Sequence, residues 1–151
     1  MRRQDRKLDR TETDKILKNG DYGVLSMVGE DNCAYGIPLN YVYMRNSIYF
    51  HCASEGQKLD YIRKNNKVSF CVVGEAIPLV DQFSMKYESA IVSGNASEVD
   101  GDEKFEVLIA LVAKYSSDEY LEKGREYAVR ALDKTTVIRI DIENITGKAR
   151  R

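Results

Sequence analysis

The segment from His51 to Lys58, HCASEGQK, combines side chains that can bind an anion, and it contains the only histidine of the chain. It follows an aromatic run and precedes an amphipathic pattern, so we predict that a strand ends and a helix begins here. The first backbone N–H groups of a helix lack partners and lie at the positive end of its dipole, which favours phosphate. Ser54 adds a hydroxyl, Gly56 permits close approach to the backbone and Lys58 adds a charge. The alternative is that Ser54 only caps its own helix and Lys58 is solvated.

His51 lies beside this predicted anion site. Strand alternation places His51 on one face with Tyr49 and Ala53, and Phe50 and Cys52 on the other. The imidazole could donate to a phosphate or a ring heteroatom, or carry a proton. The plainer interpretation is a partly buried histidine with its hydrogen bonds satisfied. Because the chain has no second histidine and no Ser-His-Asp arrangement, the pattern does not favour nucleophilic catalysis.

The segment GIPLNYVY offers backbone groups rather than reactive side chains. Pro38 cannot donate to a strand ladder, so pairing must break there or the strand must lie at an edge. The groups released could bind a flat heterocycle, with aromatic surface nearby from Tyr35, Tyr41, Tyr43 and Tyr49. An edge-strand proline among core tyrosines is the alternative.

Two further segments could line a pocket. KYESAIVSG places Tyr87, Glu88 and Ser89 before an apolar run, although these residues could equally face outward from an ordinary strand. The C-terminal TGKARR is basic and could reach an anionic ligand, or it could be a frayed, solvated end.

The elements that must position these residues do not alternate between helix and strand, and GxGxxG is absent, so the pattern does not favour a dinucleotide-type parallel sheet. About six strands, mostly linked as hairpins and flanked by helices, predict an α+β domain around a six-stranded antiparallel barrel. We expect Thr11 to cap the first helix, Gly20 to end it, and Gly94 to bend a long strand. The predicted strands are 22–28, 34–44, 47–52, 67–73, 86–99 and 135–142, and the later helices are 57–65, 102–115 and 119–132.

Composition limits the classes of function. The net charge of −1 gives no electrostatic footprint for nucleic acid. The basic N-terminus has no apolar run behind it, and no stretch is apolar enough to span a bilayer, so we expect a cytoplasmic protein. The length suits one domain, and we expect a single domain over residues 1–151. Cys33, Cys52 and Cys71 lack CxxC spacing, which favours reduced thiols over a zinc site or disulfides.

Taken in chain order, eight segments resemble the flavin-binding split barrels of the pyridoxamine 5'-phosphate oxidase type, and more closely their nitroimidazole-resistance-like branch. Each segment is weak alone, but together they cover nearly the whole chain in the expected order. They are MRRQDR, GDYGVLSMVGED, YGIPLNYVY, IYFHCASEGQKLDYIRKN, VSFCVVG, YESAIVSGNASEV, ALVAKYS and ITGKARR.

The resemblance implies a homodimer that holds flavin, FMN first and FAD as the alternative, in two clefts between the subunits. The flavin ring would lie along Ile37, Pro38, Leu39, Asn40 and Tyr41. The phosphate would lie against the segment that contains Cys52, Ala53, Ser54, Gly56 and Lys58. His51 would face the cleft as the candidate catalytic residue, and Tyr87, Ser89 and Lys148 would come from the partner or line the mouth of the cleft.

One departure concerns the loop before Tyr87. Relatives often carry two threonines where this chain has Ser84 and Met85, and Met85 cannot supply the second hydroxyl. The implied activity is electron transfer from a reduced nicotinamide through flavin to a small acceptor such as a nitroaromatic or a quinone. A flavin-binding protein without catalytic activity, used for storage or sensing, is the alternative. Haem binding through His51 is a more distant one. The residues by themselves also leave open an interaction domain that binds no cofactor, in which the capped helix and the tyrosines are purely structural.

Overall fold

Four helices and seven strands make up the computed structural model, which describes residues 2–151. Met1, the first residue of the MRRQDR segment, lies outside the described residues. The helices are α1 (Arg10–Asn19), α2 (Gln57–Lys64), α3 (Gly101–Tyr115) and α4 (Leu121–Ala131). The strands are β1 (Gly23–Val28), β2 (Ala34–Leu39), β3 (Val42–Met44), β4 (Ser47–Ala53), β5 (Lys67–Leu79), β6 (Ser84–Val99) and β7 (Thr135–Arg150).

All of these strands join one antiparallel sheet, in the order β2-β1-β5-β6-β7-β4-β3. Its two end strands, β2 and β3, are consecutive in sequence and are separated only by Asn40 and Tyr41. Because so short a link spans at most about 10 Å, the sheet must curl until its two ends approach each other. The predicted α+β fold, an antiparallel split barrel with flanking helices, is confirmed.

The sheet has seven strands where the sequence predicts six, because the segment AYGIPLNYVYM divides into β2 and β3. At the division, the backbone N–H of Tyr41 donates to the hydroxyl oxygen of Tyr115 (3.0 Å). The Tyr41 carbonyl accepts a hydrogen bond from the ammonium group of Lys114 (3.0 Å). Side chains of α3 therefore take the place of strand partners at Tyr41, and the ladder stops.

Two clusters of buried side chains stabilise the two faces of β4. The larger fills the inside of the curled sheet under α1 and α2, and Phe50 and Ile48 belong to it. The smaller packs α3 and α4 against the outer face of β3, β4 and β7, and consists of Val42, Tyr49, Val107, Leu108, Leu111, Ala128 and Val137. The predicted alternation along β4 is therefore confirmed, since Tyr49 and Phe50 enter different clusters.

The prediction that Thr11 caps the first helix is wrong, because Asp9 occupies that position. The Asp9 side chain accepts a hydrogen bond from the backbone N–H of Glu12 (2.8 Å), and the Glu12 carboxylate accepts one from the N–H of Asp9 (3.3 Å). This reciprocal capping box fixes the start of α1. Gly20 ends the helix as predicted, with its N–H bonded to the carbonyl of Ile16 (3.0 Å).

The strands in the second half of the chain are longer than the sequence predicts. β5 continues to Leu79 and pairs with the start of β6, so the expected loop is an extended hairpin. β7 runs to Arg150, which places the TGKARR segment inside the sheet rather than in a frayed end. The bend at Gly94 is confirmed: the register of β6 against β7 shifts there, and a Cβ at Gly94 would lie 1.9 Å from the carbonyl oxygen of Asp141.

Cys33, Cys52 and Cys71 are free thiols. Across residues 2–151, no helix is both long enough and apolar enough to cross a membrane.

Candidate functional site

The predicted anion site falls at the junction of β4 and α2. β4 ends at Ala53 and α2 begins at Gln57, with Gly56 at φ 130°, a backbone conformation that other residues adopt only under strain. A Cβ built on Gly56 would meet nothing within 4 Å, so the glycine is open to solvent as well. An incoming group can therefore reach the backbone here.

The first amides of α2 are available at this junction. Within residues 2–151, the Gly56 carbonyl accepts from the N–H groups of Leu59 and Asp60, but the N–H groups of Gln57 and Lys58 have no hydrogen-bond acceptor. No side chain caps the helix, so the interpretation that Ser54 only caps its own helix does not hold. Ser54 is exposed, and its hydroxyl remains free for another partner.

Lys58 supplies a positive charge that no carboxylate neutralises in the described part of the chain. Its side chain is partly buried, and its Nζ lies 5.8 Å from the centre of the Phe50 ring. Burial raises the pKa of the Cys52 thiol, and the positive charge of Lys58 opposes that rise. The junction thus combines free amides, a hydroxyl and an unpaired cation, which is the chemistry that a phosphate monoester requires.

His51 projects from the opposite face of β4, towards α3 and α4, as the alternation predicts. His51 is nevertheless exposed to solvent. Desolvation by the surrounding protein, followed by the charge of Lys58, lowers the pKa of its imidazole from the ordinary 6.5. At neutral pH the ring is therefore uncharged and can accept one hydrogen bond and donate another.

His51 and Asn40 form one wall of a cavity of about 290 Å³. The opposite wall belongs to α3 and α4, with Leu108 and Leu111 at the base and Tyr127 near the mouth. None of the lining residues is Asp, Glu, Lys or Arg. Two residues predicted to contact a cofactor thus open onto one apolar, uncharged space.

The predicted ring-binding segment lies at the edge of the sheet, since β2 pairs only with β1. Ile37 and Leu39 turn their side chains towards the larger core cluster, while Pro38 is exposed opposite Val24. Tyr41 differs: its side chain is fully buried, and its hydroxyl donates to the carbonyl of Leu17 (2.6 Å). Because α3 also occupies the backbone groups of Tyr41, the part of this segment open to a ligand is 37–40.

Cys52 and Ala53 complete the stretch before the junction. The Cys52 side chain packs against the larger core cluster, and Ala53 is exposed at the end of β4, opposite Thr135. These two residues can approach a ligand only through their backbone or, for Ala53, its methyl group.

Tyr87, Ser89 and Lys148 form a group of their own. Ser89 is the register partner of Lys148, and the Lys148 Nζ lies 5.5 Å from the centre of the Tyr87 ring. Hydrogen bonds from Lys148 and Arg6 lower the pKa of the Tyr87 hydroxyl. Ala53, next to the junction, pairs with Thr135 at the start of β7, whereas Ser89 pairs with Lys148 near the end of β7. Measured along the strand at about 3.3 Å per residue, Thr135 and Lys148 are roughly 43 Å apart. Within one chain, the junction and this group therefore lie near opposite ends of β7.

Sequence reasoning missed Lys114 and Tyr115 at the end of α3. Lys114 Nζ donates to the carbonyl oxygens of Gly20 (2.7 Å) and Tyr41, and lies 3.8 Å from the centre of the Tyr41 ring. The Tyr115 hydroxyl also donates to the Asp21 carbonyl (2.7 Å). This pair fixes the end of the segment 37–40. Its only sequence signal was a lysine beside a tyrosine directly after the apolar run 107–113.

Comparison with known proteins identifies the class. A sequence model of the pyridoxamine 5'-phosphate oxidase family matches residues 9–149. The chain therefore belongs to the pyridoxamine 5'-phosphate oxidase family, and the resemblance drawn from its segments is confirmed. No curated protein sequence matches the chain.

Solved structures share the fold. A candidate 5-nitroimidazole antibiotic resistance protein of Bacteroides thetaiotaomicron VPI-5482 is 23% identical, with a TM-score of 0.81 over 95% of this chain and 86% of that one. An FAD-binding protein of Mycobacterium smegmatis is 25% identical, with a TM-score of 0.63 over 96% and 99% of the two chains. An FAD-binding protein of Mesorhizobium loti is 21% identical, with a TM-score of 0.67 over 97% and 98%.

Proposed function

We propose that this protein binds a flavin, with FMN as the first candidate and FAD as the second, and acts as an oxidoreductase. The observation that carries the proposal is the junction at Gly56, where two helix amides and the Ser54 hydroxyl without hydrogen-bond partners in residues 2–151 lie within five residues of Lys58, which has no carboxylate partner there. Family membership and the FAD-binding proteins among the structural neighbours support it.

The residues at the junction fit the phosphate end of such a cofactor. Gly56 leaves the approach to the amides clear, because no atom lies within 4 Å of the position of a Cβ. Lys58 and the helix dipole both favour negative charge at that point. The exposed edge of β2 over residues 37–40 would bind the polar edge of the ring through backbone groups, as an edge strand can.

When bound, a flavin supplies the two-electron chemistry that connects a reduced nicotinamide with a small acceptor such as a nitroaromatic. The protein's contribution is to position the reactants and exclude water. Lys58 neutralises phosphate charge, and the neutral imidazole of His51 holds or moves a proton at the wall of the apolar cavity. Its lowered pKa keeps that imidazole uncharged in the neutral range, with one ring nitrogen free to accept a hydrogen bond.

We further propose that two copies of the chain form the complete site. Lys148 lies near the far end of β7 from the junction, with Tyr87 and Ser89 beside it on β6, and in this proposal a second copy supplies these residues to the ligand. The sheet face that carries Ser89 also carries exposed apolar side chains, including its register partner Val73 (54% exposed) and Ile91 (47% exposed). Such a surface is typical of one covered by a partner.

The test is flavin affinity after removal of one charge. Lys58→Gln should weaken FMN binding roughly tenfold, equivalent to about 1.4 kcal/mol, because it removes the unpaired cation beside the phosphate. Lys64→Gln is the matched control: it removes the same charge from the exposed last turn of the same helix. Equal affinity in the Lys58→Gln variant and the wild type would refute the phosphate assignment.

Turnover separates an enzyme from a storage protein. The flavin-loaded protein should oxidise reduced nicotinamide faster when a nitroaromatic acceptor is present. Flavin binding without such turnover would favour the storage or sensing alternative.

A further inference from the structure

The hairpin formed by the end of β5 and the start of β6 extends beyond the rest of the sheet. Its residues 76–79 pair with 84–87, whereas β1 pairs with β5 only at 69–71 and β7 pairs with β6 only from Tyr87 onwards. We call residues 75–86 the arm. A two-stranded hairpin is at best marginally stable by itself in water, so a further contact is needed to hold the arm in place.

The tip of the arm is apolar and exposed. Val80 is 83% exposed and Phe83 is 98% exposed, and no residue from 75 to 85 is buried. Phe83 also has φ 47°, a left-handed conformation that a bulky residue adopts only at a cost in free energy. Exposed apolar surface and backbone strain at the same residue indicate a contact outside this copy of the chain.

The cavity between β4, α3 and α4 offers an apolar surface to such a tip. Leu108 and Leu111 form its buried base, and its mouth lies beside the exposed side chain of Tyr127. His51 and Asn40, on the opposite wall, are exposed to solvent in a single copy. This side of the candidate flavin site is therefore open to water unless another surface covers it.

The charges of the tip and the mouth are complementary. Asp81, at the tip, forms no ion pair within residues 2–151. Lys123 precedes Tyr127 by four residues, which places both on one side of α4, and among the described residues it has no carboxylate partner either. Glu122 and Glu126 fall on the side of the helix turned away from the cavity. An acidic tip suits this mouth better than it suits the anionic surface of a membrane.

The position of the arm on β6 determines how far the tip extends. In the proposed two-copy site, Tyr87 and Ser89 of a second copy contact the ligand of the first. Phe83 precedes Tyr87 by four residues, so it extends roughly 13 Å past that contact at about 3.3 Å per residue. The cavity lies next to both parts of the flavin site, since Asn40 ends the ring segment and His51 precedes the phosphate junction. An arm of this length can pass the ligand and enter the mouth.

We propose that the arm of a second copy closes this cavity, with Phe83 in the mouth and Asp81 beside Lys123. The inference rests on the two-copy site of the proposed function, and it adds to that site a residue that the family resemblance does not name. By two-fold symmetry, each copy gives its arm to the other. A ligand beside His51 then contacts both copies, and the Phe83 ring excludes water and limits the size of the ligand.

A fluorescent residue at the tip tests the contact. The chain contains no tryptophan, so the emission of the Phe83→Trp variant reports on the arm alone. The FMN-loaded variant should emit at a shorter wavelength than tryptophan in water, and dilution to single copies should move the emission to longer wavelength.

Two substitutions on α4, added to the Phe83→Trp variant, locate the contact. Tyr127→Asp should move the emission to longer wavelength without dilution, because the new carboxylate repels Asp81 and replaces apolar surface at the mouth. Val129→Asp is the matched control: Val129 is 53% exposed against 57% for Tyr127, but it does not line the cavity. The control should leave the emission unchanged.

Phe83→Asn measures the contribution of the ring. Asn adopts the left-handed conformation more readily than Phe, so the arm should keep its turn. Loss of the apolar side chain should raise the dissociation constant of the dimer, measured by analytical ultracentrifugation, roughly tenfold for each arm and about a hundredfold for the pair. Val129→Asn should leave this constant unchanged.

Three results would overturn the proposal: a solvated emission from a dimeric Phe83→Trp protein, an equal response to both α4 substitutions, or an unchanged dissociation constant in Phe83→Asn. With FMN still bound, each of them leaves the proposed flavin binding intact. A monomer at every concentration would overturn the arm contact together with the two-copy site. A shielded emission that responds to Tyr127→Asp, in a dimer that takes up no flavin, would refute the proposed function and support the arm contact.

Discussion

Lys114 links α3 to the loop after α1 and to the end of the ring segment, and its removal tests how that segment is held. The ammonium group donates to two carbonyl oxygens, those of Gly20 (2.7 Å) and Tyr41 (3.0 Å), and lies 3.8 Å from the centre of the Tyr41 ring. Burial lowers the pKa of Lys114, so part of what these contacts contribute offsets the cost of desolvating the charge.

The expected effect of Lys114→Met follows from these contacts. Hydrogen bonds to a charged group contribute about 1.5–3 kcal/mol each, and a cation over an aromatic ring contributes about 1 kcal/mol. The buried Gly20 carbonyl loses its side-chain donor, and the Tyr41 carbonyl can replace Lys114 only by taking the single Tyr115 hydroxyl proton from the Asp21 carbonyl. The variant no longer has to bury a charge, which offsets part of this loss. We therefore expect the free energy of unfolding to fall by about 2 kcal/mol, which corresponds to roughly 4–8 °C in Tm.

The assay is urea unfolding followed by circular dichroism, combined with flavin titration. Lys123→Met is the matched control, since Lys123 also lies over a tyrosine ring, at 5.9 Å, but is exposed and donates to no carbonyl in the described residues; its effect should stay within about 0.5 kcal/mol. The Lys114 variant should also bind flavin more weakly, because the end of the segment 37–40 loses its anchor. Equal stability of the two variants would refute the reasoning.

The remaining predictions concern His51, Gly56 and the buried phenols. The single histidine should titrate in an NMR experiment with a pKa below 6.5, and stability should fall as the pH falls through that value, because the unfolded chain then binds the extra proton; a measured pKa of 6.5 or above would contradict the position of the ring. Gly56→Ala should lower flavin affinity and cost about 1–3 kcal/mol of backbone strain. Gly101→Ala, at a glycine that also has positive φ and open space, should leave flavin affinity unchanged, and equal losses in both would argue against a ligand at Gly56. Burial raises the pKa values of Tyr41 and Tyr49, so the folded protein keeps protons that the unfolded chain releases above about pH 10. Stability should therefore be present below that pH and be lost above it, and denaturation midpoints that stay constant from pH 8 to 11 would count against this account.

Features set by nearby residues could be predicted from the sequence. The strand-to-helix junction at HCASEGQK was predictable because an apolar run, a glycine and an amphipathic pattern follow one another within a few residues. Neighbouring residues also determine the alternation of Tyr49 and Phe50 between the two faces of β4 and the bulge at Gly94.

Features set by distant residues could not be predicted. The division between β2 and β3 depends on Lys114 and Tyr115, which lie more than seventy positions away from Tyr41. The proline predicted either a break or an edge strand, and the second is confirmed: β2 is an edge strand, and its ladder continues through Pro38, opposite Val24, and stops later. The length of the β5–β6 hairpin likewise arises from pairing between the two strands rather than from either segment alone.

The candidate site shows the same limit. The resemblance brought Tyr87, Ser89 and Lys148 into one site with His51 and Lys58, but their separation along β7 is visible only once the register with β4 and β6 is known. The cavity wall formed by α3 and α4 was also beyond sequence reasoning, because helical spacing alone does not show which strand a helix covers.

The most direct test of the account is the absorption spectrum of the purified protein, followed by chromatography of any chromophore that heat releases. We predict a flavin spectrum with FMN as the released compound, or FAD if the cleft continues beyond the phosphate junction. A colourless protein that also fails to take up added FMN and FAD would contradict the central claim, and the free amides of α2 would then need another ligand.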